Sequence, residues 1–164
     1  MDTGFAVMGI ILLLLCVLPF IIIRKNRQKR DKKYKETISS LARESNNQID
    51  LYDGWKSTII GLDSLNRKLF FLRKVGDKDV HIVVDLADIH GSKVLNTRWS
   101  LKGESNGMTQ KLELGLTPRE KSKPIIRLEF FNADCDGLTM MDELLIAEKW
   151  SALINSTISK NGTT

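Results

Sequence analysis

The spacing of apolar residues changes three times along this chain. Phe5 through Ile23 is an unbroken run of 19 apolar residues. At ~1.5 Å per residue such a helix spans about the ~30 Å of a hydrocarbon core, so the run predicts a single transmembrane helix. Fourteen of the 19 are Leu, Ile, Val or Phe, each favouring insertion by roughly 0.3–0.6 kcal/mol near the helix centre. From Tyr34 to Gln48, Ile38, Leu41 and Ala42 fall on one helical face, the pattern of a short amphipathic linker helix. From Ile49 to Phe131 the period drops to two. Trp55–Leu62 reads as a strand, Asp63-Ser64-Leu65-Asn66 as a turn, and Leu69–Leu72 as the second arm of a hairpin. Gly76–Asp79 is another turn, followed by strands at Val80–Val84, Lys93–Trp99, Gln110–Leu116 and Ile126–Phe130. The last segment returns to helical spacing, with Met141, Leu144, Leu145, Ala147, Trp150, Leu153 and Ile154 on a broad apolar face. Thr139 and Asp142 form a weak capping box before it.

These elements predict an α+β protein: an N-terminal single transmembrane helix, then a strongly bent antiparallel sheet or small barrel of about six or seven strands, capped by a C-terminal helix. The expected organisation is a tail and transmembrane helix over residues 1–23, a basic juxtamembrane linker over 24–48, a folded domain over 49–158 and a tail over 159–164.

Charge assigns an orientation to the anchor. Residues 24–35 hold eight Lys and Arg against one acidic residue, so the positive-inside rule predicts an outside N-terminus and a cytoplasmic C-terminal domain at the cell (inner) membrane. Arg24, Lys25, Arg27, Lys29, Arg30, Lys32, Lys33 and Lys35 are the candidate contacts to anionic lipid, at about 1 kcal/mol each near the surface. No basic n-region precedes the apolar run and no small-residue cleavage site follows it, which argues against a removable signal peptide. The chain carries 25 basic and 20 acidic residues, net +5, yet residues 36–164 hold 17 and 18. The folded part is thus near neutral, which argues against nucleic-acid binding, a function that needs a basic face. Cys16 and Cys135 lie in different segments, so no disulfide is expected, and Asp134 and Asp136 flank Cys135 in the opposite sense to an activated thiolate.

Reactive chemistry is sparse. The chain has no phosphate-binding Gly-Lys-Ser/Thr loop, no His-Glu-x-x-His, no Cys-x-x-Cys and no Gly-x-Ser-x-Gly. No catalytic residue, cofactor or metal site is therefore assigned. One spacing resembles a calcium loop: Asn132, Asp134 and Asp136 as oxygen donors, Gly137 at the sharp turn and Glu143 at the twelfth position. The strand-like alternation before it and an Asn in first place oppose that reading, and the alternative is a polar strand-to-helix turn. His81 and His90 read as structural; an enzyme site would need Asp85, Asp88 and His90 to converge through folding.

Strands followed by one amphipathic helix, the link Asp85-Leu86-Ala87-Asp88-Ile89 and the closing stretch Ala147-Glu148-Lys149-Trp150 resemble the pleckstrin-homology-like superfold in small membrane-anchored bacterial proteins. The resemblance covers residues ~49–158 and rests on element order. It implies a bent sheet closed by the helix and a role in binding. It does not bring inositol-phosphate recognition, because the matching turn, Asp63–Asn66, is acidic and polar with only Arg67 and Lys68 after it. The functional expectation is a membrane-tethered binding or scaffolding module whose partners are the lipid bilayer and another protein, with no nucleic acid. The alternatives are a membrane-bound enzyme and a calcium- or lipid-responsive sensor.

Overall fold

β-Branched and aromatic residues at period two pair into two meanders. The computed structural model describes residues 34, 36–41, 43, 47–99 and 107–159. Strands β1 (Leu51–Trp55), β2 (Thr58–Asp63), β3 (Lys68–Val75) and β4 (Lys78–Asp85) form one antiparallel sheet in sequence order. Strands β5 (Ile89–Trp99), β6 (Met108–Pro118) and β7 (Ile126–Asn132) form a second. A 3-10 turn, Leu86–Asp88, joins the sheets, and Asp85 caps it by accepting from the Ala87 N–H at 2.9 Å. Two helices follow, α1 (Ala133–Asp136) and α2 (Glu143–Ser159). All of these belong to the unit that begins at Ile38; of the preceding unit, Tyr34, Glu36 and Thr37 are described and helical.

Trp55–Leu62, expected as one strand, is broken by a two-residue turn. Trp55 pairs with Thr58, and Lys56 between them adopts a left-handed φ of 44°. Lys56 is held there: its Nζ lies 2.8 Å from the Glu143 carboxylate and 5.0 Å from the Phe131 ring centroid. The turn at Gly76 follows expectation, with the positive φ of 59° that glycine adopts without strain. The expected single bent sheet is instead two, divided where the 3-10 turn interrupts pairing between β4 and β5.

The inner faces of both sheets and one stripe of α2 share a core that includes Ile60, Leu62, Phe71, Leu114, Phe130 and Trp150. Trp55 stacks on Phe130 at 4.6 Å and donates its indole N–H to the Phe130 carbonyl at 3.0 Å, joining the first sheet to the second. Helix α2 is fastened to each. Asp53 on β1 accepts from the Trp150 indole at 2.7 Å and from Lys149 Nζ at 2.6 Å. On β5, Ser92 bonds to Asn155 and Ser151. The helix starts three residues later than the Thr139–Asp142 cap suggests, with the Glu143 carboxylate accepting from the Met141 N–H at 2.6 Å.

All six residues of β2 are buried, because its outer face is also covered. Ile38, in the helical stretch 38–41, and Ile49 lie over Gly61; a Cβ there would sit 2.7 Å from Ile38 Cδ1 and 3.0 Å from Ile49 Cδ1. Glycine is what lets the amphipathic segment reach the sheet, and Ile38 is fully buried as a result.

The membrane-anchored fold class, and the location drawn from it, are corrected. Residues 5–23, and the expected lipid contacts Arg24, Lys25, Arg27, Lys29, Arg30, Lys32, Lys33 and Lys35, lie outside the described residues. Among the described residues no helix is long and apolar enough to cross a membrane. The longest, α2, has 17 residues and carries Glu143, Glu148 and Lys149. The architecture is an α+β domain of two antiparallel sheets and a C-terminal helix. Nothing in it supports a transmembrane helix, an inner-membrane location or a cytoplasmic placement of its C-terminal part.

Candidate interaction surface

Four strand edges border the two sheets, and they differ in how far they are occupied. The β1 edge meets α2 through Asp53 and β7 through Trp55. The β5 edge is occupied at one point only. There the Asn155 carboxamide does what a neighbouring strand would do: its Oδ1 accepts from the Ser92 N–H at 2.8 Å and its Nδ2 donates to the Ser92 carbonyl at 3.0 Å. Ser92 Oγ donates to the Ser151 carbonyl at 3.0 Å, which locks the register of helix on strand.

In an antiparallel strand the N–H and C=O of one residue point to the same side, and the side alternates. Since Ser92 points toward α2, Val94 and Asn96 present their backbone groups to that side too. Neither has a hydrogen-bond partner on that side among the described residues. Leu144 and Glu148 precede Ser151 and Asn155 at helical spacing, so they border the same open edge. The result is a strand edge of Lys93–Thr97 with a helix alongside, ended by a register shift between Thr97 and Arg98.

At the far end of β5, Trp99 pairs directly with Met108 across the β5–β6 ladder. Together with Leu138, Ala133 and Asp134 they line a cleft of about 230 Å³. Ala133 and Asp134 begin α1, whose N-cap is Asn132; the Asn132 side chain accepts from the Asp134 N–H at 3.1 Å.

The residues at the calcium-loop spacing have their own partners. Asn132 is that cap. Asp136 Oδ2 accepts from Arg73 at 2.9 Å and from the Asn132 N–H at 2.8 Å. Glu143 is paired with Lys56. Asp134 alone of the four has an uncommitted side chain. Among the described residues no group of three or more His, Cys, Asp or Glu is placed to hold a metal. Asp85 and Asp88 do line one cavity, of about 330 Å³ between β4 and the β6–β7 connection, but His90 is not among its walls. His81 and His90 are exposed, as is Cys135. A larger groove of about 760 Å³ runs between the β2–β3 turn and the end of α2, lined by Leu51, Leu65, Arg67, Leu153 and Thr157.

Sequence reasoning missed Ser92, Asn155 and Trp99. Asn155 is a polar residue in an amphipathic helix, and only the fold brings it 63 positions back to Ser92. Trp99 reads as one more strand aromatic, and its exposure depends on where the hairpin ends.

No family model, no curated protein and no solved structure matches this chain.

Proposed function

We propose that this chain is a non-enzymatic binding module that takes an extended segment of a protein partner as an extra strand on the free edge of β5, beside α2. One observation carries the reading: Asn155 already fills a strand's place at Ser92, while the outward backbone groups of Val94 and Asn96 stay open. Strand addition draws affinity from main-chain hydrogen bonds and specificity from pockets for alternate side chains. The sequence of four strands, three strands and a closing helix supports placing the domain with the pleckstrin-homology-like superfold, as a proposal from architecture. The near balance of charge in residues 36–164 supports a protein partner over a nucleic acid.

The test uses a proline. Asn96→Pro removes one outward N–H and leaves the bonds to β6 in place, a substitution that edge strands tolerate. Peptides selected from a random display library against the wild-type chain should shift the amide resonances of residues 93–98, and Asn96→Pro should weaken them about tenfold. Selected peptides that bind the proline variant equally well would sink the proposal.

A further inference from the structure

We infer that the cleft at the end of the β5–β6 hairpin is a recognition site for an arginine side chain of a peptide partner. Its walls are unusually bare. Trp99 is 55%, Met108 54% and Leu138 72% exposed, three large apolar groups around one concavity. Beside them stands the Asp134 carboxylate, which has no ion pair or hydrogen bond among the described residues, and Thr109, Gln110 and Ala133 complete the lining. Two residues further on, Asp136 is neutralised by Arg73, so the lone charge is specific to the cleft. Its placement is rigid, since Asn132 caps the turn that carries it.

This combination selects a ligand class. A purely apolar group would strip water from Asp134 without replacing it, at a cost in free energy, and an anion would meet repulsion. A guanidinium on an aliphatic stem satisfies the three apolar groups and the carboxylate together. Its plane stacks on the indole face, its fork donates to the carboxylate, and its methylenes cover Met108 and Leu138. At about 230 Å³ the cleft is smaller than the ~300–1,000 Å³ of small-molecule sites, so it fits one side chain of a larger ligand. Trp99 is also the last residue of β5, so a segment added at Val94 and Asn96 would reach this cleft past the register shift at Thr97 and Arg98. That continuity rests on the strand-addition reading, while the cleft's preference for arginine does not.

The experiment uses the full chain and a blocked Gly-Arg-Gly tripeptide, too short to pair along the β5 edge, with its neutral isostere Gly-citrulline-Gly as control. The arginine probe should shift the Trp99 indole N–H resonance saturably, and the citrulline probe should bind about tenfold more weakly. Asp134→Asn, at an exposed position that holds no structural bond through its carboxylate, should bring the arginine probe down to the citrulline level. Trp99→Ala should abolish the saturable shift at the Asp134 amide. Equal binding of the two probes, or an Asp134→Asn variant that binds arginine like the wild type, overturns the inference. Asn96→Pro should leave the tripeptide's affinity unchanged while weakening long peptides, which separates failure of this site from failure of strand addition.

Discussion

Arg73 stands where the alternation Leu69, Phe71 calls for a third apolar side chain on the core face of β3. It is buried, and its charge is met by Glu129 at 3.1 Å, by Asp136 at 2.9 Å and, more distantly, by Thr58 Oγ1 at 3.5 Å. Its Nε finds no partner, so the guanidinium is held through its two terminal nitrogens, Nη2 at both carboxylates and Nη1 at Thr58. Removing Arg73 leaves Asp136 with no ion-pair partner among the described residues and Glu129 with Lys111 alone. Arg73→Ala should therefore cost about 3 kcal/mol, read as a lowered midpoint of urea unfolding. A midpoint within error of the wild type would mean that the two carboxylates find water without loss. Arg73→Lys should recover only part, because an ammonium in the place of Nη2 has no second nitrogen to reach Thr58 Oγ1.

Among the elements, the segment from Ile38 to Ile49 depends most on a single partner. Gly61→Val places branched methyls where Ile38 and Ile49 now lie, and overpacking of this kind costs roughly 1–3 kcal/mol. Gly61→Ala should cost less, since the nearest atom is the tip of a side chain that can turn. For the valine variant, trypsin should cut at Arg43 faster than in the wild type while the strands keep their resistance. Unchanged cleavage would show that the segment holds by other contacts. Strands at β3, β4, β6 and β7 were readable because alternation is a local property of the chain. The β1–β2 turn was not, because Lys56 carries no turn signal and is fixed by Glu143, 87 positions away. The late start of α2 and the occupied state of Asp136 have the same origin in long-range pairing. Of the interaction surface, the amphipathic face of α2 was legible, whereas the open edge and the Trp99 cleft depend on how that helix is fastened to β5.

Across the whole molecule, charge is arranged as an alternating line. Arg127 meets Glu113 at 3.1 Å, and Lys111 meets Glu113 at 3.0 Å and Glu129 at 2.9 Å, where Arg73 and Asp136 continue the series. Glu113 and Glu129 face each other across β6 and β7, a like-charge pairing that Lys111 bridges. Hydrogen bonds to Glu129 and Glu113 push Lys111 above its ordinary 10.5. On the acid side, burial alone would raise Asp63, but hydrogen bonds from Asn66, Gln48 and Leu65 outweigh it and hold the carboxyl below 3.8. The signs follow from linkage. Asp63 contributes stability that is complete above 3.8 and disappears as pH falls through its lowered value. Lys111 contributes stability that is complete below 10.5 and disappears as pH rises through its raised value. Chemical unfolding across pH should show the gap between wild type and Asp63→Asn narrowing below 3.8. The gap to Lys111→Met should narrow above 10.5. Gaps that stay constant with pH would detach both groups from the stability of the fold.

The pairing of Asn155 with Ser92 has a consequence for assembly. It acts as a stop on the edge, so a chain added as proposed could not pair past Ser92 and would begin its ladder at Val94. That sets a reading frame, deciding which of the guest's residues turn inward and which outward. It also shortens the exposed rail that copies of this protein would need to stack without limit.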